Sequence, residues 1–145
     1  MRIIVTGSRD WPEEETGLTI VLSTLQGAFN LNVYSGQPLT VVHGACPTGV
    51  DAIVSRWVAR TQQWRMGNKV SLPGTEVIEE PHSPEWEKWG KGAGPIRNQY
   101  MANLGANFCL AFLYEPDGRV SKGTRDMIRA ANRSRIPVIE VPWSF

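Results

Sequence analysis

Several stretches of this chain are apolar without alternation: Ile3-Ile4-Val5, then Val41-Val42 behind Thr40, and later the run from Cys109 to Tyr114. A strand with one wet face alternates apolar and polar residues, whereas a continuously apolar strand is covered on both faces. Each run leads into turn residues and then into apolar residues at helical spacing. Strands are predicted at Arg2–Thr6, Thr40–Val42, Glu76–Glu80, Cys109–Tyr114 and Pro137–Val141. Alternation of strands and helices predicts an α/β fold, a mainly parallel five-stranded sheet with right-handed crossovers. The expected strand order is 3-2-1-4-5.

Four helices fill the intervals. The first takes Pro12 and Glu13 to Glu15 in its opening turn, buries Leu18, Val21, Leu22 and Leu25, and begins to fail at Gly27; a polar loop is expected over 30–39. The second begins at Thr48, runs to about Trp64 and buries Val50, Ile53, Val54, Trp57 and Val58. Thr48 with Asp51 makes a T-x-x-D capping box. Gly94-Pro95 opens the third, with Ile96, Tyr100, Met101 and Leu104 on its inner face. Ser121 to Thr124 opens the last, which turns Met127, Ile128 and Ala131 inward.

At 145 residues the chain is the size of one domain, and 1–145 is read as a single unit. A net charge of +1 provides no general basic field, so nucleic acid is an allowed but not the favoured partner. Cys46 and Cys109 lack metal-ligand spacing, and no metal site is predicted. No run reaches transmembrane length and no signal segment is evident, so a cytoplasmic protein with no membrane partner is expected. The tail Trp143-Ser144-Phe145 suggests a packing contact or a homo-oligomer.

In an open α/β sheet, ligands bind beyond the carboxyl ends of the strands, where the strand order reverses. The loops that arrive there are Gly7-Ser8-Arg9, His43-Gly44 through Gly49-x-Asp51, the segment from Pro81 to Arg97-Asn98, and Ser121-Lys122-Gly123-Thr124. Glycine-punctuated turns before helices are sites for anions, chiefly phosphate. The three glutamates ahead of the first helix repel an anion there, so the starts of the second and last helices are the better phosphate sites. Lys122 and Arg97 are the counter-charges, Arg9 can reach the cleft, and Asp51 is placed to hold ribose hydroxyls.

Plainer readings stand beside these. Thr48 and Asp51 serve equally as a helix cap. Arg97 can be a surface ion-pair partner, and His43 reads first as a packed, hydrogen-bonded histidine rather than a base. Trp86 and Trp89 read as anchors of their loop ahead of base-stacking platforms.

Gly7-Ser8-Arg9, Gly44-x-x-x-x-Gly49-x-Asp51, Gly94-Pro95-x-Arg97-Asn98 and Ser121-x-Gly123-Thr124, in this order, resemble the SLOG superfamily. That group includes the DNA-processing protein DprA and the "lonely guy" phosphoribohydrolases; the chain is most similar to its small YspA-like branch. The resemblance implies a Rossmann-like three-layer domain. It also implies a nucleotide or nucleotide-derived ligand, such as one like ADP-ribose, that the protein senses or sequesters. Gly7, Ser8, Arg9, Gly44, Thr48, Gly49, Asp51, Arg97, Asn98, Ser121, Lys122, Gly123 and Thr124 would line the site. No cofactor is implied beyond a Mg²⁺ ion that a phosphate ligand would bring.

One alternative is an N-glycosidase of the phosphoribohydrolase type, whose motif is P-G-G-x-G-T-x-x-E. The matching stretch here runs Val120 to Met127, and Met127 stands at the glutamate position. Asp126 is one place early, about 100° round the helix. Arg97, Asp126 and Asp51 are the catalytic candidates, with Glu85 a further carboxylate. A second alternative, single-stranded nucleic-acid binding of the DprA type, draws on Arg9, Lys69, Lys88, Lys91 and Arg97 with Trp86 and Trp89.

Overall fold

The structure, a computed structural model, describes residues 1–143. Ser144 and Phe145, part of the expected contact tail, lie outside the described residues. The strands are β1 (Arg2–Gly7), β2 (Leu39–His43), β3 (Val77–Pro81), β4 (Phe108–Leu113) and β5 (Val138–Pro142). They form one sheet in the order β3-β2-β1-β4-β5, with every neighbouring pair parallel. The expected Rossmann-like α/β architecture is therefore present, and the order reverses between β1 and β4.

The reason for the unbroken apolar runs is visible on β1. Ile3 and Val5 point into a core shared with Val41, Val54 and Phe112, while Ile4 between them points into a second core with Val42, Met101 and Met127. Helices α1 (Glu15–Asn32) and α2 (Gly49–Gly67) cover the first face; α4 (Ala93–Asn103) and α5 (Lys122–Arg133) cover the second. A short helix, α3 (Trp86–Trp89), precedes α4. Cys109 is wholly buried in the second core, and burial pushes its thiol up to about 12. No helix among the described residues is long and apolar enough to cross a membrane.

Four local expectations are corrected. Helix α1 starts after Glu14, beyond Pro12, and continues through Gly27 to Asn32. Gly27 lies on the outer side with nothing near it, while Ala28, Phe29 and Asn32 are buried on the inner side. Phe29 packs edge-on to Trp57 of α2 with ring centroids 6.3 Å apart, and tertiary packing of this kind overrides one glycine's weak helix propensity. Helix α2 likewise outlasts Trp64, to Gly67.

Helix α4 starts at Ala93, with Pro95 in its first turn, where a missing N–H costs nothing. Its inner face is Ala93, Asn98, Met101 and Ala102; Ile96, Tyr100 and Leu104 are exposed. Ala93 and Ala102 beside Met101 let this helix lie close to α5, so Ile96, Tyr100 and Leu104 stay outside. Trp86 and Trp89 are exposed as well, at 57% and 47%, and do not anchor their loop. The tryptophan that does anchor is Trp11. It packs against Phe112, Tyr114 and Trp143 and donates its indole N–H to the Gly17 carbonyl at 3.0 Å.

Candidate functional site

The β2–α2 loop is built around two buried side chains, His43 and Asp51. His43 Nδ1 accepts the Ala45 amide at 3.0 Å, so its proton sits on Nε2, 2.7 Å from Glu79 Oε1. Ser55 of α2 donates to the same carboxylate oxygen. Burial raises the Glu79 carboxyl, but the bonds from Ser55 and His43 outweigh it and leave Glu79 below its ordinary value. His43 is thus a bracket for the loop, as the plainer reading had it. It holds Ala45 in a left-handed conformation (φ 59°) that only a few per cent of non-glycine residues adopt.

Asp51 does not close a capping box with Thr48. Its Oδ2 reaches back to accept the Cys46 amide at 3.1 Å, and the Thr48 side chain makes no cap bond. Burial raises the Asp51 carboxyl; the Cys46 amide, the nearby His43 ring, the Arg97 charge and the Gly44 amide act against that rise. The amide of Val50 is taken by the Ser8 carbonyl at 3.2 Å. The expected phosphate cradle at the start of α2 is therefore occupied largely by the protein's own groups. Gly49 has φ +71°, and a Cβ there would strike the Ser8 and Arg9 backbone. It is glycine for the packing of the β1 loop on α2, and Gly7 serves the same contact through Val50.

Arg97 ties the rim together. Its Nη1 donates to the Gly44 carbonyl at 2.5 Å and to the His82 carbonyl at 2.9 Å, and its Nε donates to Asn98 Oδ1 at 2.8 Å. Asn98, buried, passes the connection to α5: its Nδ2 donates to Asp126 Oδ2 at 2.9 Å and to the Gly123 carbonyl at 3.4 Å. A Cβ on Gly44 would lie 2.5 Å from Arg97 Nη1, so the missing side chain is the space the guanidinium fills. Burial pulls Arg97 down from its ordinary value, and Asp51 leads the charges that hold it up. No ion pair among the described residues involves Arg97, and its Nη2 has no hydrogen bond among them.

Arg97 lines a cavity of about 280 Å³ between the end of β3 and α4. Trp89 and Tyr100 supply aromatic wall, Lys88 a second cation, and Ser83 and Glu85 polar groups. Lys88 Nζ lies 5.0 Å from the Trp89 ring centroid. Tyr100 is set edge-on to His82 at 5.5 Å; His82 Nε2 is 2.7 Å from Glu80 Oε2, and Glu80 is held by both guanidinium nitrogens of Arg2 at 2.7 and 2.6 Å. The bond from Arg2 is the largest influence on Glu80 and, with that from His82, outweighs burial to bring it down to about 2. A larger cavity, about 440 Å³, lies where β4 and β5 end; among the described residues Glu115 is the one charged side chain on its lining, an arrangement unsuited to an anion.

Among the other sequence candidates, Ser121 caps α5 by accepting the Thr124 amide at 3.4 Å, and its hydroxyl meets that of Thr124 at 2.7 Å. Lys122 and Gly123 beside them are exposed, with open space where a Gly123 side chain would be. Arg9 and Thr48 are exposed on the same rim. Met127 is wholly buried in the second core, so the residue at the hydrolase glutamate position is a packing residue. The five-cation track is not continuous: Lys69 follows the end of α2, at the rim where strands begin, opposite Arg9, Lys88, Lys91 and Arg97. Sequence reading missed Arg2, Ser55, Glu79, Glu80 and Tyr100 as parts of this site. The one signal for them was a pair of carboxylates, Glu79-Glu80, at the end of a strand that is otherwise apolar.

The strand order and the loops gathered at the carboxyl rim define a Rossmann-like α/β domain. No protein-family model matches the chain. It belongs to the family of Gene 61 protein from Mycobacterium phage D29, with 39% identity over 138 residues that span 95% of this chain and 94% of that protein. Among solved structures it is similar to the universal stress protein UspA from Lactobacillus plantarum, with a TM-score of 0.47, 11% identity and 97% of each chain covered.

Proposed function

We propose that this protein binds a nucleotide or nucleotide-derived small molecule at the carboxyl rim, with phosphate on Arg97 and the base in the cavity beside it. Arg97 carries the reading. It is held by three acceptors and half-buried, yet among the described residues it has no ion pair and one of its nitrogens has no hydrogen bond. Keeping a charge out of water is costly unless it is paired, and a planar guanidinium suits phosphate oxygens. The aromatic wall and Lys88 complete a site for a ring that bears an anion. At about 280 Å³ the cavity is at the small end of ligand pockets, roughly 300–1,000 Å³, and suits one base and one phosphate. A longer ligand, such as an ADP-ribose, would run from Arg97 past Asn98 to the open start of α5 at Lys122 and Gly123.

The test is thermal denaturation with nucleoside mono-, di- and triphosphates, ADP-ribose, NAD and cyclic dinucleotides, with and without Mg²⁺, followed by chromatography of each ligand. Stabilisation with the ligand recovered intact is expected; a ligand at a hundred times its Kd adds about 2.7 kcal/mol. Recovery as free base and ribose phosphate would make the protein a hydrolase. No stabilisation by any of them contradicts the proposal.

A further inference from the structure

We infer that the base this cavity selects is guanine, read by the carboxylate of Glu85; the inference rests on the nucleotide reading above. Glu85 stands at the start of α3 and lines the cavity with Arg97, Trp89 and Tyr100. Its side chain makes no cap bond, and no hydrogen bond or ion pair among the described residues involves it. The two cations on the lining are set elsewhere: Lys88 Nζ lies 5.0 Å from the Trp89 ring centroid, and Arg97 is bonded to Gly44, His82 and Asn98 with Nη2 left for the phosphate. Glu85 is therefore the carboxylate on this lining that is available to a ligand.

An ionised carboxylate only accepts hydrogen bonds, through two oxygens side by side. The Watson–Crick edge of guanine presents two adjacent donors, N1–H and the N2 amino group, which match those oxygens. Adenine and cytosine each present one amino donor beside a ring-nitrogen acceptor, so the second carboxylate oxygen meets a lone pair. Uracil presents one N–H between two carbonyls. On the same lining, the Ser83 hydroxyl is a donor for guanine O6. The aromatic wall has little base preference of its own, because every base has a π-face. It is also kept in place, since Tyr100 rests on His82, which is fixed through Glu80 to Arg2. Discrimination therefore falls to Glu85.

The test is titration calorimetry of the whole chain with GMP, AMP, CMP and UMP, on wild type and Glu85→Gln. GMP is expected to bind about tenfold or more tighter than AMP, the discrimination a good bidentate base contact provides. Glu85→Gln should bring the GMP-to-AMP ratio to within about threefold or invert it, weakening GMP and tightening AMP, because the amide offers adenine the donor and acceptor that its edge requires. Its ligand-free melting temperature should match wild type, because Glu85 is exposed and holds no other side chain. Equal binding of GMP and AMP by wild type overturns the guanine assignment and leaves the nucleotide reading standing. A ratio that survives Glu85→Gln overturns the role of Glu85. Binding of none of the four overturns the guanine assignment, and no stabilisation by the wider nucleotide panel overturns the nucleotide reading as well.

Discussion

Gly44 has no side chain because the guanidinium of Arg97 lies where one would be. Gly44→Ala therefore acts on Arg97 more than on its own backbone. The arginine must swing away, losing its bonds to the Gly44 and His82 carbonyls. Hydrogen bonds from charged groups contribute about 1.5–3 kcal/mol each, so losing the two should cost about 3 kcal/mol or more in urea denaturation. Nucleotide affinity should fall tenfold or more in the same variant; unchanged affinity would mean that Arg97 does not hold the ligand. Gly44, Arg97 and Asn98 were legible in the sequence because they sit in short motifs beside helix starts. The bracket of His43, Glu79 and Ser55 was not. Its members are 36 and 24 positions apart, and no local pattern marks a pair that only sheet register brings together.

Helix α4 turns a small and polar face inward. Arg97 and Asn98 therefore stand at the rim, while Tyr100 is turned outward to wall the cavity. Helical periodicity alone was right for Met101 but misplaced Ile96, Tyr100 and Leu104, because it follows the large apolar residues. The inner side is legible only once the closeness of α5 is known. The wall depends on the line from Arg2 through Glu80 and His82 to Tyr100, which gives the fold a measurable acid response. Glu80 is held at about 2, against an ordinary value of 4.5. A depressed carboxylate contributes stability that is fully present above its unfolded-state value and is lost as pH falls through its folded value. The contribution should fade from about pH 4.5 down to about pH 2. Glu80→Gln should flatten the pH dependence of stability across that window, measured by denaturant titration at successive pH values. An unchanged slope would show that another carboxylate sets the acid limb.

At the scale of the molecule, the continuous apolar runs were the readable part: they state that the sheet is covered twice, and the strand order follows from short right-handed crossovers. What they do not state is how each face is covered. Trp11, Tyr114 and Trp143 close the first face near β4 and β5 without a helix, and no periodicity announces that. The second core also determines what α5 can carry. Met127 is completely enclosed there, so Met127→Glu, which restores the hydrolase motif's residue, would bury an unpaired carboxylate. A loss of at least about 3 kcal/mol is expected in urea denaturation, with no release of free base from GMP. A variant as stable as wild type would mean that this position opens to the cleft. The ligand is expected between Arg97 and the aromatic wall of the cavity. The most direct measurement is a ¹H–¹⁵N NMR titration with GMP that follows the Arg97 Nε–H, the Trp89 indole N–H and the backbone amides. Saturable shifts confined to Gly44 and the residues from His82 to Tyr100, Trp89 and Arg97 among them, are expected. Saturable shifts that centre instead on the Tyr114–Trp143 cavity, or on the rim where the strands begin, would contradict this placement of the ligand.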